Sequence, residues 1–320
     1  MKDTKTDIIN TTKQIGDLVD WLVSPHAQPF QNSPTMYIDL EGVNLCREGS
    51  VSILTLLIDT DEIPTRRVYL IDVHVLGAQA FNTTGVKQKK TLKNILQDEN
   101  FPKVFFDVRN DSDALFAHFG VQLHGVEDVQ LMESATRKTT PSRRLLSGLA
   151  KCVEKNAPMS FGGSGSGSWK LAKEKGERLF KPELGGSYEV FNQRPVPEEI
   201  VDYCVGDVQC LPELRAMFWG TRTVAWRDLV KEESEKRVVA SQRAEYQPHG
   251  REKAMATWSV DQNRTLDQWN SVAPPRDYFD EDFDPYDDQD DDQDDIDWYD
   301  RRFGNDYEDW TRAPWQGPPS

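Results

Sequence analysis

Three apolar stretches follow one another between residues 36 and 73 with only short polar connections, and this feature narrows the possible folds most. They are "MYIDLEGVNL" (36–45), "SVSILTLLID" (50–59) and "RVYLIDV" (67–73). Each is short and rich in aliphatic or aromatic residues, as strands are. The connections "EGVNLCREGS" and "DTDEIPTR" read as hairpin links, so the three strands are expected to run antiparallel. Before them, "TTKQIGDLVDWLVSP" carries Ile15, Leu18, Val19 and Leu22 at helical spacing and ends at Pro25. After them come a helix around Lys90 to Gln97, a strand "KVFFDV", and a helix "RNDSDALFAHFG" with Gly120 as its stop. From "VEDVQLMES" to Trp219 the chain reads mainly as helix and loop, with "SFGGSGSGSW" (160–169) a mobile loop by composition. "PEEIVDYCVGDVQCLPELRAMFW" reads as a helix opened by Pro197, with Glu198 and Glu199 suited to its positive end and a break or kink near Pro212. "RDLVKEESEKRVVASQRAEY" is a further helix candidate. This order argues for an α/β fold, a mixed sheet flanked by helices.

The first strand carries an anomaly. A strand has period two, so Asp39 and Glu41 point to the same face, where two unpaired acids would repel each other. Further acids gather elsewhere. "FFDVRNDSDAL" holds Asp107, Asp111 and Asp113 at a strand end and helix start, and "YCVGDV" sets Tyr203 and Asp207 four residues apart on one helix face. Each motif alone has a structural explanation: a solvated acid pair, a helix N-terminal acid, an ordinary helix surface. Together, carboxylates collected from a strand and two helices suit hard divalent cations. Two such ions about 3.5–4 Å apart stabilise the attacking and leaving oxygens of a phosphodiester displacement.

Taken in order, D-x-E in "DLE", the acidic motif in "DVRNDSDAL" and Y-x-x-x-D in "YCVGD" resemble the DEDD superfamily of 3′–5′ exonucleases. The branch is the tyrosine-containing one, with ribonuclease D and the Werner-type exonuclease domains. The nearest likeness is to Egalitarian-like and exonuclease 3′–5′ domain-containing proteins, where "VQLMESATR", "SGLAKCVE" and "RPVPEEIVDYCVGDV" are also expected. It spans roughly residues 5 to 225. The resemblance implies a ribonuclease H-like fold and two-metal hydrolysis, with two Mg²⁺ or Mn²⁺ ions. By the same carry-over, Asp39 bridges the ions, Glu41 and Asp207 complete the site that holds the attacking water, and Asp111 serves the second ion. Tyr203 orients that water. Asp107 and Asp113 compete with Asp111; Leu115, four residues on, favours Asp111. The implied activity is release of 5′-mononucleotides from the 3′ end of RNA or DNA. A rival from another class is a nucleic-acid-binding scaffold on the same fold, without turnover.

Nucleic-acid binding calls for cations and stacking groups near the acids. Candidates are Arg109 beside the second acidic motif, Arg137, Lys138, Arg143 and Arg144 in "TRKTTPSRR", and Trp169 and Lys170 in "WKLAKEKGERLFK". A formal net charge of −16 argues against such a partner only until its distribution is seen. Between Asp277 and Trp310, 17 acids stand against Arg301 and Arg302, which leaves the preceding residues near neutral. The expected organisation is an exonuclease domain over 1–225, a helical extension over 226–250 and an acidic, unstructured tail over 251–320. The tail serves solubility, engages a protein partner, or mimics nucleic acid against the basic groove. The four cysteines show no paired spacing, and there is no secretory pattern or long apolar run. An intracellular protein, cytoplasmic or nuclear, with no membrane partner is expected.

Overall fold

The computed structural model describes residues 4–24, 35–59, 66–156, 165–220 and 222–271. Its chain order begins with β1 (Thr4–Ile9), α1 (Thr12–Leu22), β2 (Thr35–Glu41), β3 (Ile53–Asp59) and β4 (Arg66–Asp72). Next come α2 (Val73–Leu76), α3 (Gln79–Asn82), α4 (Leu92–Leu96), β5 (Lys103–Phe105), α5 (Arg109–Phe119), β6 (Val126–Asp128) and α6 (Val129–Thr136). Helices α7 (Leu149–Asn156), α8 (Gly165–Phe180), α9 (Glu198–Gln209), α10 (Leu211–Trp219), α11 (Val224–Ser241) and α12 (Val260–Ser271) complete it.

The six strands form one sheet in the order β1-β4-β3-β2-β5-β6. β2, β3 and β4 are antiparallel neighbours, as their short connections require. β5 and β6 extend the sheet parallel to β2 on one side, and β1 runs parallel to β4 on the other. This is the mixed sheet of a ribonuclease H-like fold. Two strands escape a reading by periodicity. β1, "TKTDII", is a polar edge strand with little apolar alternation, and β6 has only three residues.

Local signals account for the helix ends. Thr11 and Gln14 form a reciprocal capping box at the start of α1. Gly120 ends α5 with φ of 61°, a left-handed conformation that costs glycine little. The long helix foreseen over 197–219 is divided at Cys210 into α9 and α10, with Pro212 in the first turn of α10, where a missing N–H does no harm. One expectation is revised: the second half of "SFGGSGSGSW" is the first turn of α8, while 157–164 lie outside the described residues.

The chain divides into two compact units. One comprises residues 1–132 and 149–248 and contains the sheet; the other comprises 133–148 and 249–320. The core of the first is aliphatic and aromatic, including Ile15, Val19, Met36, Ile38, Leu54, Ile71, Phe81, Phe105 and Leu115. The second is organised around two arginines. Arg137 binds the Glu133 carboxylate at 3.0 and 2.8 Å and the carbonyls of Ser142 and Leu145, both at 2.6 Å. Arg143 binds the Arg137 carbonyl, Asn263 and Asp267. Residues 251–271, expected to belong to the unstructured tail, instead carry a short 3-10 turn (Arg251–Ala254) and α12; the chain beyond Ser271 lies outside the described residues. Among the described residues no helix is long and apolar enough to cross a membrane.

Candidate metal centre

β2 delivers the first two acids. Asp39 stands opposite Thr55 and Glu41 opposite Ile53, both on the sheet face that carries Tyr37. α9 packs over β2 and β3. Its buried residues Ile200, Tyr203, Cys204, Asp207 and Val208 form one helical stripe, so Tyr203 and Asp207 turn toward the sheet together. The result joins Asp39, Glu41 and Asp207: each offers a carboxylate oxygen, and these oxygens lie within 4.8 Å of one another. Cys204 registers the field of this cluster. Burial, then Glu41, Asp39 and Asp207, push its thiol well above the ordinary range, so it stays protonated and unreactive.

The second motif sorts its three acids by partner. Asp107 adopts φ of 61°, and its N–H donates to Asp128 Oδ1 at 3.0 Å. Its carboxylate accepts Arg109 Nε and Nη2 at 2.5 and 2.6 Å. Asp113, fully buried, accepts the Arg47 backbone N–H at 2.8 Å and Arg47 Nε at 2.7 Å, one on each oxygen. Asp111 is buried in the first turn of α5 and lies outside the three-carboxylate group.

A residue not singled out in the sequence completes the centre. Lys173 of α8 donates to both Asp207 oxygens, at 2.7 and 2.8 Å, with only 8% of the lysine and 4% of the aspartate exposed. Its ammonium also lies 4.6 Å from the centre of the Tyr203 ring and 5.5 Å from that of Trp169. The available signal was helical spacing, since Trp169, Lys173, Gly176 and Phe180 share the buried face of α8. Trp169 Nε1 donates to the Gly206 carbonyl at 3.0 Å. Phe180 meets the Tyr203 ring edge-on at 5.1 Å. Gly176 is small for a reason: a Cβ there would sit 2.6 Å from Tyr203 Cβ.

The basic candidates fare differently. Lys170 and Arg144 are exposed, and Lys170 pairs with Glu154 at 3.0 Å. Arg109 is buried against Asp107, and Trp169 is buried against α9. Arg143 needs correction as a nucleic-acid ligand: its guanidinium is buried and engaged by Asn263 and Asp267 within its own unit.

The sequence profile of a family described as 3′–5′ exonuclease matches residues 26–221. The piRNA biogenesis protein EXD1 of Mus musculus is 36% identical over 104 residues, which are 32% of this chain and 16% of that protein. EXD1 of Xenopus laevis is 34% identical over 111 residues, 34% of this chain and 22% of that protein. The chain therefore spans less than a quarter of the length of these relatives. Trypanosoma brucei RNase D, in a crystal structure of its complex with RNA U12, superposes with a TM-score of 0.60 at 20% identity, covering 83% of this chain and 79% of that one. Its GMP complex gives 0.57 at 22%, covering 83% and 71%. These similarities show the fold.

Proposed function

The chain belongs to the 3′–5′ exonuclease family, and we propose that it hydrolyses nucleic acid stepwise from the 3′ end, releasing 5′-mononucleotides. The observation that carries the reading is the convergence of Asp39, Glu41 and Asp207 within 4.8 Å. The donor set fits the implied metal, because three carboxylate oxygens suit Mg²⁺ or Mn²⁺. Asp39, Glu41 and Asp207 would hold one ion, and Asp39 with Asp111 a second. Bound there, the ions supply charge stabilisation and a more acidic water.

The chain's own groups do the rest. Tyr203 sits four residues before Asp207, its ring held by Gly176, Phe180 and Lys173. Its hydroxyl orients the attacking water and takes part in its deprotonation. Single-stranded RNA is the first substrate to try, because the similar RNase D structure contains RNA. DNA is the comparison, since discrimination between them rests on the 2′-hydroxyl.

Digestion of 3′-end-labelled and 5′-end-labelled single-stranded RNA and DNA, with Mn²⁺, Mg²⁺ or EDTA, tests the proposal beside Asp39→Ala. Metal-dependent shortening from the 3′ end, absent in the variant, is expected. Activity retained by Asp39→Ala overturns the metal account. A second reading, a scaffold that binds nucleic acid without turnover, draws on the Lys173 pair that already neutralises Asp207. Binding without shortening under every metal condition would establish it.

A further inference from the structure

We infer that Lys173 is the carboxylate cluster's own cation and competes with a divalent ion for Asp207, so that this lysine sets how tightly the centre holds metal. The inference rests on the metal-binding reading of Asp39, Glu41 and Asp207.

The first argument is placement. Helix α8 docks on α9 through contacts that need no charge: Trp169 against Gly206, Gly176 against the Tyr203 side chain near its Cβ, and Phe180 on the Tyr203 ring. At the fourth position of the same buried face an apolar side chain would suffice. A lysine stands there instead, and a buried ammonium is tolerated only where its surroundings compensate it. Those surroundings are Asp207 and two aromatic faces, all favourable to a cation.

The second argument is saturation. Lys173 donates to both oxygens of Asp207. A divalent ion drawing on Asp39 and Glu41 thus meets an Asp207 whose charge is already offset. Each carboxylate oxygen has two lone pairs. The ion therefore shares Asp207 with the ammonium or displaces it, and both routes weaken metal binding. Lys173 stabilises the cluster when no metal is present and is a positioning residue for Asp207.

The test measures free Mn²⁺ by electron paramagnetic resonance during titration of the full chain, wild type against Lys173→Met, Lys173→Gln and Lys173→Arg. The neutral variants are expected to bind Mn²⁺ more tightly by about tenfold or more, the scale of removing one nearby unscreened charge. Lys173→Arg keeps the charge and stays near wild type. In EDTA the neutral variants melt lower than wild type, and Mn²⁺ raises their melting temperature by the larger margin. Unchanged or weaker affinity in both neutral variants overturns the competition. Absence of Mn²⁺ binding by every protein, wild type included, overturns the metal reading itself. Lys173→Gln keeps a polar side chain of similar length, so the answer does not depend on methionine being accommodated.

Discussion

Arg47 and Asp113 meet at two points: the Arg47 backbone N–H donates to one oxygen of the fully buried carboxylate at 2.8 Å and its Nε to the other at 2.7 Å. The same guanidinium donates to the carbonyls of Ser241, Arg243 and Ala244 at 2.9, 2.6 and 3.0 Å. One side chain thus ties the loop after β2, helix α5 and the end of α11 together. It also assigns Asp113 to structure. Arg47→Ala keeps the backbone N–H on Asp113 but removes the guanidinium from the buried carboxylate and from three carbonyls, so a loss of about 3–5 kcal/mol is expected in urea unfolding. Hydrogen exchange over 241–246 should quicken in step.

The acids of the centre should separate by their effect on stability. Asp207→Ala leaves the buried Lys173 ammonium without its carboxylate, costing about 3–5 kcal/mol in EDTA. Asp39→Ala removes one of several mutually repelling acids and should cost far less. Both variants are expected to lose hydrolysis. Denaturation curves measured without metal check the order; an Asp39→Ala protein less stable than Asp207→Ala contradicts the Lys173 pair.

Gly176 holds the helix close to the tyrosine. Gly176→Ala places a Cβ 2.6 Å from Tyr203 Cβ and 2.8 Å from its Cγ, forcing α8 and the ring apart. On the proposed role of Tyr203 as the group that orients the attacking water, displacing it by a fraction of an ångström lowers turnover by about tenfold to a hundredfold. Binding of a 3′-labelled oligonucleotide should change little. A drop in affinity with unchanged turnover would assign Tyr203 to binding alone.

Lys103 makes a pH prediction. The side chain is fully buried, its ammonium reaching the carbonyls of Asp98 at 2.6 Å and Ile95 at 3.4 Å near the end of α4. Burial pulls its pKa from 10.5 down to about 7. The unfolded chain therefore holds this proton between pH 7 and 10.5 while the folded chain has released it, and stability rises with pH through that window. Between pH 7 and pH 9 the gain from this group is about 2 kcal/mol. Lys103→Met lacks it, so the stability difference between wild type and variant should move toward wild type by that amount. A difference that stays flat across the window contradicts the depressed pKa.

Much of the architecture was legible because strand and helix periodicities are local. The antiparallel trio, the helix that carries Tyr203 and Asp207, and the break near Pro212 follow from spacing and from proline's missing N–H. β1 was not, since a polar edge strand is held by its backbone pairing with β4 and carries little side-chain pattern. The basic candidates show the same divide. "TRKTTPSRR" announces charge, but whether a guanidinium meets solvent depends on distant partners, and Asn263 and Asp267 bury Arg143.

The sequence by itself determined that carboxylates would crowd together: Asp39 and Glu41 must share a strand face, and Tyr203 and Asp207 a helix face. Only the tertiary structure decided how that crowding is compensated. Arg47 engages Asp113, 66 residues on, and Lys173, arriving on a separate helix, engages Asp207, 34 residues on. An ion pair of this kind is a short-range contact between groups far apart along the chain. No local periodicity encodes it; it exists only once the helices have docked on the sheet.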